Sequence, residues 1–250
     1  MMNYNFISTH KAGHAFYLTL DREAKRNAFT PTTVNEVAHA LQQAQDDDEV
    51  KLLVLQANGP VFCAGMDLKT YQDPSLDTIN PQIESKAISL GEVFDQFHKP
   101  SVAILDGDVI AGGFLYILGC NYVYAKKELN FRLPEVSLGI FPFQVMASML
   151  RVMSEKKVLQ LCMDPSAFGV EKAMELGIVD GVKSDAEIDE FIASFADKSV
   201  FALEAGIEAI KAIRNLGSKD QYAYLLSRLG ALKDRTEVKD QIKAELKNKS

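Results

Sequence analysis

Two glycine-bearing segments of the sequence have the residue types needed to hold a negatively charged group through the backbone. Residues 60–69 read PVFCAGMDLK, and residues 106–114 read DGDVIAGGF. Glycine lets backbone N–H groups approach a ligand closely, and the dipole of the helix predicted over residues 113–120 favours negative charge at its start. Two such N–H groups facing one point would form an oxyanion hole.

The elements that must position these segments are predicted to be strands of a buried parallel sheet. Short apolar runs rich in strand-forming residues occupy residues 15–20, 51–57, 101–105 and 121–125. Between the first two, Thr30 and Pro31 begin an amphipathic helical pattern, which makes a β-α-β unit and therefore a parallel sheet. Each glycine segment follows one strand, at the carboxyl edge where α/β folds bind ligands.

The last third of the chain is predicted to be mostly helical. Helical patterns cover residues 144–153, 155–163, 165–176, 186–196, 200–216 and 220 to the end. No linker rich in Pro, Gly or Ser marks a boundary between two large domains. The sequence therefore predicts an α/β core with its site over residues 1–195 and a C-terminal helical region over residues 196–250 for capping or oligomerisation.

Composition and charge exclude several classes of protein. The 250 residues include 27 basic and 34 acidic side chains, a net charge of −7 without a basic stripe, so nucleic acid is not an expected partner. Cys63, Cys120 and Cys162 are scattered through apolar surroundings, which is typical of reduced thiols in a cytoplasmic protein. No apolar stretch reaches a membrane span of roughly twenty residues, and no signal peptide or metal motif is present.

Several blocks, in order, carry a resemblance to a known family. They are residues 62–69 (FCAGMDLK), Gly107 with Ala111-Gly112-Gly113, and residues 131–142 (FRLPEVSLGIFP), supported by residues 21–29 and 173–180. Together they resemble the crotonase superfamily, the enoyl-CoA hydratases and isomerases, collinearly from about residue 16 to 182. The resemblance implies an α/β fold, a crotonase-like ββα spiral, usually assembled as a homotrimer or hexamer. It also implies an acyl-CoA substrate and no separate cofactor.

The resemblance assigns roles to particular residues. The backbone N–H groups of Met66 and Gly112 would polarise the thioester carbonyl, and Glu135 would be the catalytic carboxylate. The residues expected to contact the acyl-CoA are Lys25, Arg26, Ala28, Ala64, Asp67, Leu68, Lys69, Gly113 and Phe141. Lysines gathered at the site would let an acidic protein bind the phosphates of CoA.

One catalytic position departs from the family's hydratases, which place a second glutamate where this chain has Leu115. A leucine cannot activate water, and a drier pocket should raise the pKa of Glu135. A single glutamate can remove a proton at one carbon and return it at another, which favours double-bond isomerisation. Three alternatives stay open: a 2-enoyl-CoA hydratase with a substitute acid, a polyketide-type decarboxylase or dehydratase of carrier-bound acyl groups, and a non-catalytic acyl-CoA-binding member. The candidates for a substitute acid are Tyr71, Asp67 and Cys63.

Overall fold

The computed structural model describes residues 2–248, with the backbone alone at 241, 244, 245 and 248. The strands are β1 (Ile7–Ala12), β2 (Ala15–Leu20), β3 (Leu52–Ala57), β4 (Val61–Cys63), β5 (Ser101–Leu105), β6 (Asp108–Ile110), β7 (Tyr122–Ala125), β8 (Asn130–Arg132), β9 (Phe168–Gly169) and β10 (Gly181–Val182). The helices are α1 (Pro31–Asp46), α2 (Leu68–Gln72), α3 (Leu90–Gln96), α4 (Phe114–Gly119), α5 (Phe143–Met149), α6 (Glu155–Met163), α7 (Val170–Glu175), α8 (Asp185–Ala193), α9 (Val200–Ile213), α10 (Ser218–Asp234) and α11 (Thr236–Asn248). Among the helices so described, none is long and apolar enough to cross a membrane.

A larger sheet forms the centre of the fold, with strand order β1-β2-β3-β5-β7-β10. Strands β2, β3, β5, β7 and β10 are parallel neighbours, and β1 pairs antiparallel with β2. The four strands predicted from the sequence are β2, β3, β5 and β7, so that part of the prediction is confirmed. Their runs are apolar because helices and loops cover both faces of a parallel sheet.

Helix α1 begins where the sequence predicts. Thr30 is its N-cap, the Thr30 hydroxyl accepts a hydrogen bond from Thr33 N–H, and Pro31 is the first helical residue. Val37, Leu41 and Ala44 share one buried face of the helix and join the hydrophobic core. This helix links β2 to β3, which confirms the predicted β-α-β unit.

A second, smaller sheet with strand order β4-β6-β8-β9 was not predicted from the strand patterns. Its strands contain only two or three residues, too few to show an alternating pattern. The predicted helix over residues 165–176 is wrong in its first part, because Phe168 pairs with Phe131 as strand β9 and helix α7 begins only at Val170. The predicted end of this helix before Gly177 is confirmed, because α7 ends at Glu175 and Gly177 has a left-handed backbone with φ of +71°.

The chain divides into two compact units between Ala196 and Asp197. The C-terminal unit contains α9, α10 and α11, and its capping or oligomerisation role stays a prediction. The single helix predicted from residue 220 to the end is wrong, because Arg235 is extended and separates α10 from α11. The Arg235 guanidinium lies 3.7 Å from the centre of the Phe201 ring, a contact that no local sequence pattern contains. Residues 249 and 250 lie outside the described residues.

Candidate active site

Three adjacent strands of the smaller sheet bring the three predicted catalytic groups to one edge. Strands β4, β6 and β8 are parallel neighbours, in that order. Met66 follows shortly after the last residue of β4, Gly112 after that of β6, and Glu135 after that of β8. Neighbouring strands lie about 4.8 Å apart, so groups that follow three adjacent parallel strands emerge side by side.

The two glycine-bearing loops touch each other directly. A Cβ atom added to Gly65 would lie 2.7 Å from Ala111 Cβ and 3.0 Å from Gly112 N. One added to Gly113 would lie 2.7 Å from the carbonyl oxygen of Cys63. Gly65 also has φ of +87°, and Ala111 has the strained value of +53°. The main chains of the loops therefore approach so closely that only glycine fits at both positions.

Among the residues described, the Met66 N–H group is left unpaired by the hydrogen bonds on either side of it. Phe29 N–H donates to Gly65 O at 2.9 Å, and Asp67 N–H donates to Phe29 O at 2.9 Å. In this parallel bridge between Phe29 and Met66, the Met66 amide faces away from Phe29. Gly112 lies in the 3-10 turn Ala111–Gly113 that opens α4, and the first N–H groups of a helix have no partner within it. Both amides can therefore donate to a ligand.

Glu135 is a buried carboxylic acid with unused hydrogen-bonding capacity. It begins the 3-10 turn Glu135–Leu138, and only 8% of its surface is exposed. Its Oε2 atom is buried and has no hydrogen-bond partner within residues 2–248. Burial raises the pKa of Glu135 above its usual value, partly opposed by a hydrogen bond from the backbone. A carboxylate in this setting gains more from accepting a proton than one in water does.

The position that the resemblance gives to a second glutamate holds an apolar side chain inside the protein. Leu115 lies on α4 and is only 3% exposed. Its Cδ2 atom would be 3.8 Å from a Cβ added to Gly91 on α3, an ordinary van der Waals distance. Leu115 thus belongs to the apolar core and supplies neither an acid nor a water-binding group.

The segments predicted to bind CoA lie side by side. Ala64 N–H donates to Arg26 O at 3.0 Å, which joins the turn that carries Lys25, Arg26 and Ala28 to the first glycine loop. Lys25, Arg26 and Lys69 are exposed cations on these adjoining segments. Leu68 and Lys69 form the first turn of α2, and Leu68 is exposed.

Two of the residues predicted to contact the acyl-CoA are partly or fully buried. Gly113 is buried against Cys63, at the point where the two loops meet. Phe141 is half-buried, packs on the hydrophobic core, and has its ring centre 5.4 Å from that of Phe143. Their contact with the substrate stays a prediction.

Asp67 is a structural residue whose carboxylate already has partners. It caps α2 by accepting hydrogen bonds from Lys69 N–H and Thr70 N–H, and it accepts a 2.8 Å bond from Arg22. Burial opposes ionisation, but the Arg22 hydrogen bond and the two amides outweigh it and lower the pKa of Asp67. An ionised, capped carboxylate is a poor proton donor, which argues against Asp67 as the substitute acid. No local pattern predicts this pairing, because Arg22 lies 45 residues away along the chain.

The other two candidates for a substitute acid are also poorly placed. Tyr71 is 71% exposed on α2. Cys63 is fully buried, and burial raises the pKa of its thiol to about 12. Neither side chain combines the access to a substrate and the readily released proton that an acid catalyst needs.

Comparisons with known proteins identify the family and the fold. A family model described as enoyl-CoA hydratase/isomerase matches residues 11–245. The chain is 28% identical over 222 residues to hydroxycinnamoyl-CoA hydratase-lyase of Pseudomonas fluorescens, covering 85% of this chain and 80% of that protein. It is 26% identical over 232 residues to 2,3-dehydroadipyl-CoA hydratase of Escherichia coli (strain K12), covering 88% of each. A crystal structure of an enoyl-CoA hydratase from Shewanella pealeana has the same fold, with a TM-score of 0.86 at 22% identity, over 98% of this chain and 94% of that one. Because the family model matches most of its length, the chain belongs to the enoyl-CoA hydratase/isomerase family of the crotonase superfamily.

Proposed function

We propose that this protein moves the double bond of an enoyl-CoA thioester from carbon 3 to carbon 2. In this reaction the N–H groups of Met66 and Gly112 hold the thioester oxygen, and Glu135 is the only acid–base residue. The observation that carries the proposal is the buried, unpartnered Oε2 atom of Glu135, combined with a buried leucine at position 115. One carboxylate without a water-activating partner suits proton transfer between two carbons better than the addition of water.

The proton transfers balance without another group. The Glu135 carboxylate removes a proton from carbon 2, and the electron pair of that C–H bond moves onto the thioester oxygen, where the two N–H groups stabilise the charge. The protonated Glu135 then delivers the same proton to carbon 4. As the enolate carbonyl re-forms, the double bond is left between carbons 2 and 3. The raised pKa of Glu135 helps it to hold the proton between these two steps.

The CoA moiety would lie along the adjoining segments that carry Lys25, Arg26 and Lys69. These exposed cations would pair with its phosphates, although the protein as a whole carries a net charge of −7. We also expect a homotrimer or hexamer, which light scattering after gel filtration would measure.

The test of the proposal is turnover with two substrates and two variants. Purified protein is assayed with 3-hexenoyl-CoA for isomerisation and with crotonyl-CoA for hydration. Glu135→Gln should lower the isomerisation rate by about a hundredfold or more, the usual contribution of a positioned base. Glu128→Gln, which changes an exposed glutamate between β7 and β8, is the matched control and should keep the wild-type rate. Full activity in Glu135→Gln, or no reaction with either substrate, would contradict the proposal.

Hydration of a 2-enoyl-CoA is the second candidate, because the two relatives named above are called a hydratase-lyase and a hydratase. A hydration rate above the isomerisation rate would favour it and would require an acid other than residue 115. Under the isomerase proposal, a folded Leu115→Glu variant should gain hydration activity relative to isomerisation. Binding of acyl-CoA without any turnover would instead indicate a non-catalytic member, and activity only on a carrier-bound acyl group would indicate the polyketide-type reaction.

A further inference from the structure

Cys63 joins three segments directly behind the proposed oxyanion hole. It is the last residue of β4 and is completely buried. Its thiol donates a hydrogen bond to Asn27 O at 3.1 Å, and its sulfur accepts one from Gly65 N–H at 3.4 Å. The Cys63 carbonyl oxygen packs against Gly113 at the start of α4. This one residue therefore contacts the turn at Asn27 and both glycine-bearing loops.

The contact with Gly65 controls the most adjustable point of the first loop. Glycine has the widest range of backbone torsions, and the peptide units on either side of Gly65 can rotate about its Cα atom. The preceding unit is held by Cys63 Sγ through the Gly65 N–H group, and the following unit by Phe29 N–H through Gly65 O. That following unit also contains the Met66 N–H group. The Phe29 hydrogen bond thus holds the Met66 N–H group directly, and the Cys63 hydrogen bond holds the peptide unit on the other side of the Gly65 Cα atom.

The thiol is chemically suited to this position. Burial raises the pKa of Cys63 to about 12, so the group keeps its proton and remains a donor to Asn27 at physiological pH. A neutral thiol adds no negative charge near the point where the oxyanion forms. A thiolate there would repel the developing charge.

We propose that Cys63 is a positioning residue of the oxyanion hole, which aligns the Met66 amide by holding the Gly65 amide. This role rests on the proposed function, because it requires the Met66 and Gly112 amides to hold the thioester oxygen. It does not depend on which carbon receives the proton.

The test measures the polarisation of a bound thioester as well as turnover. The probe is butyryl-CoA labelled with carbon-13 at its thioester carbonyl, whose stretching frequency is followed by isotope-edited infrared spectroscopy. Bound to the wild type, this band should shift to lower frequency. Cys63→Ala should lose most of the shift and lower kcat about ten- to a hundredfold, less than the roughly hundred- to thousandfold cost of removing an oxyanion donor outright, while KM changes little. Cys63→Ser, which keeps a donor and an acceptor, should restore both the shift and kcat.

The matched control is Cys120→Ala, which removes a free thiol next to Ser101 after the end of α4 and should behave as the wild type. If Cys63→Ala does not fold, Cys63→Val takes its place, since valine fills the space without a donor or acceptor and suits a strand. A full carbonyl shift in the alanine or valine variant would overturn the role of Cys63, as would an equal loss in Cys63→Ser.

The same measurements distinguish a failure of the Cys63 positioning role from a failure of the isomerase proposal. A protein that polarises butyryl-CoA through Cys63 but does not convert 3-hexenoyl-CoA would refute the isomerase proposal and support the positioning role. The absence of any shift in the wild type would overturn the role of Cys63 together with the oxyanion assignment.

Discussion

Replacing Gly65 by alanine should weaken both the fold and the site, because Gly65 lies where the two loops touch. Its φ of +87° is a left-handed conformation, which costs an L-residue about 1–2 kcal/mol. The new methyl group would lie 2.7 Å from Ala111 Cβ and 3.0 Å from Gly112 N, and such overpacking costs about 1–3 kcal/mol. We therefore expect the free energy of unfolding to fall by about 2–5 kcal/mol.

Gly13→Ala provides the matched control. Gly13 has φ of +58° in the turn between β1 and β2, and a Cβ there would meet no described atom within 4 Å. The free energy of unfolding of this variant, measured in urea, should fall only by the cost of the left-handed conformation, about 1–2 kcal/mol, and its activity should be unchanged. Gly65→Ala should also lose about a hundredfold or more in kcat, since separating the loops moves the Gly112 donor. Equal stability losses in the two variants, with normal turnover in Gly65→Ala, would refute the reasoning.

Three further variants test individual contacts. Glu135→Gln should raise the melting temperature at pH 7, because burial raises the pKa of Glu135 in the folded state and ionisation therefore costs stability. The gain should shrink as the pH falls and vanish below about pH 3, where the carboxyl is neutral in both the folded and unfolded states, and an unchanged gain there would contradict this sign. Tyr116→Phe removes a buried hydroxyl that has no partner within the described residues, so urea unfolding should show equal stability or a gain of about 1 kcal/mol; a clear loss would reveal an unrecognised partner. Asp67→Ala removes the cap of α2 and the partner of Arg22, and should cost about 2–3 kcal/mol in the same assay, whereas a cost near zero would show that neither contact stabilises the fold.

The large sheet and α1 could be predicted because their signals are local. Strand β3 is a continuous apolar run, and the Thr30-Pro31 pair marks the start of α1 within two residues. The smaller sheet could not be predicted in this way. Strands β4 and β6 contain three residues each, and Val61 finds its partner Asp108 only after 47 further residues of chain. Pairing between strands so far apart along the chain produces no periodic pattern of apolar residues within either segment.

The candidate site likewise has parts that could be predicted from the sequence and parts that could not. Met66, Gly112 and Glu135 were named through resemblance, and the structure places them after three neighbouring strands, but their catalytic roles stay proposals. The ion pair of Asp67 with Arg22 could not be predicted, since its two members lie 45 residues apart and no local pattern links them. Contacts between distant side chains follow from the assembled fold rather than from spacing along the chain.

The order of β4, β6 and β8 has a consequence for which substrates the site can accept. Successive strands are separated by about 4.8 Å, so β4 and β8 stand about 9.6 Å apart, a distance fixed by main-chain hydrogen bonding. Under the proposed function, the main chain would therefore set the distance between the oxyanion donors and the point from which the Glu135 side chain reaches the substrate. Other side chains would then surround only the remainder of the acyl group. Substitutions around the site should thus change which acyl tails are accepted, while the chemistry stays confined to carbons close to the thioester.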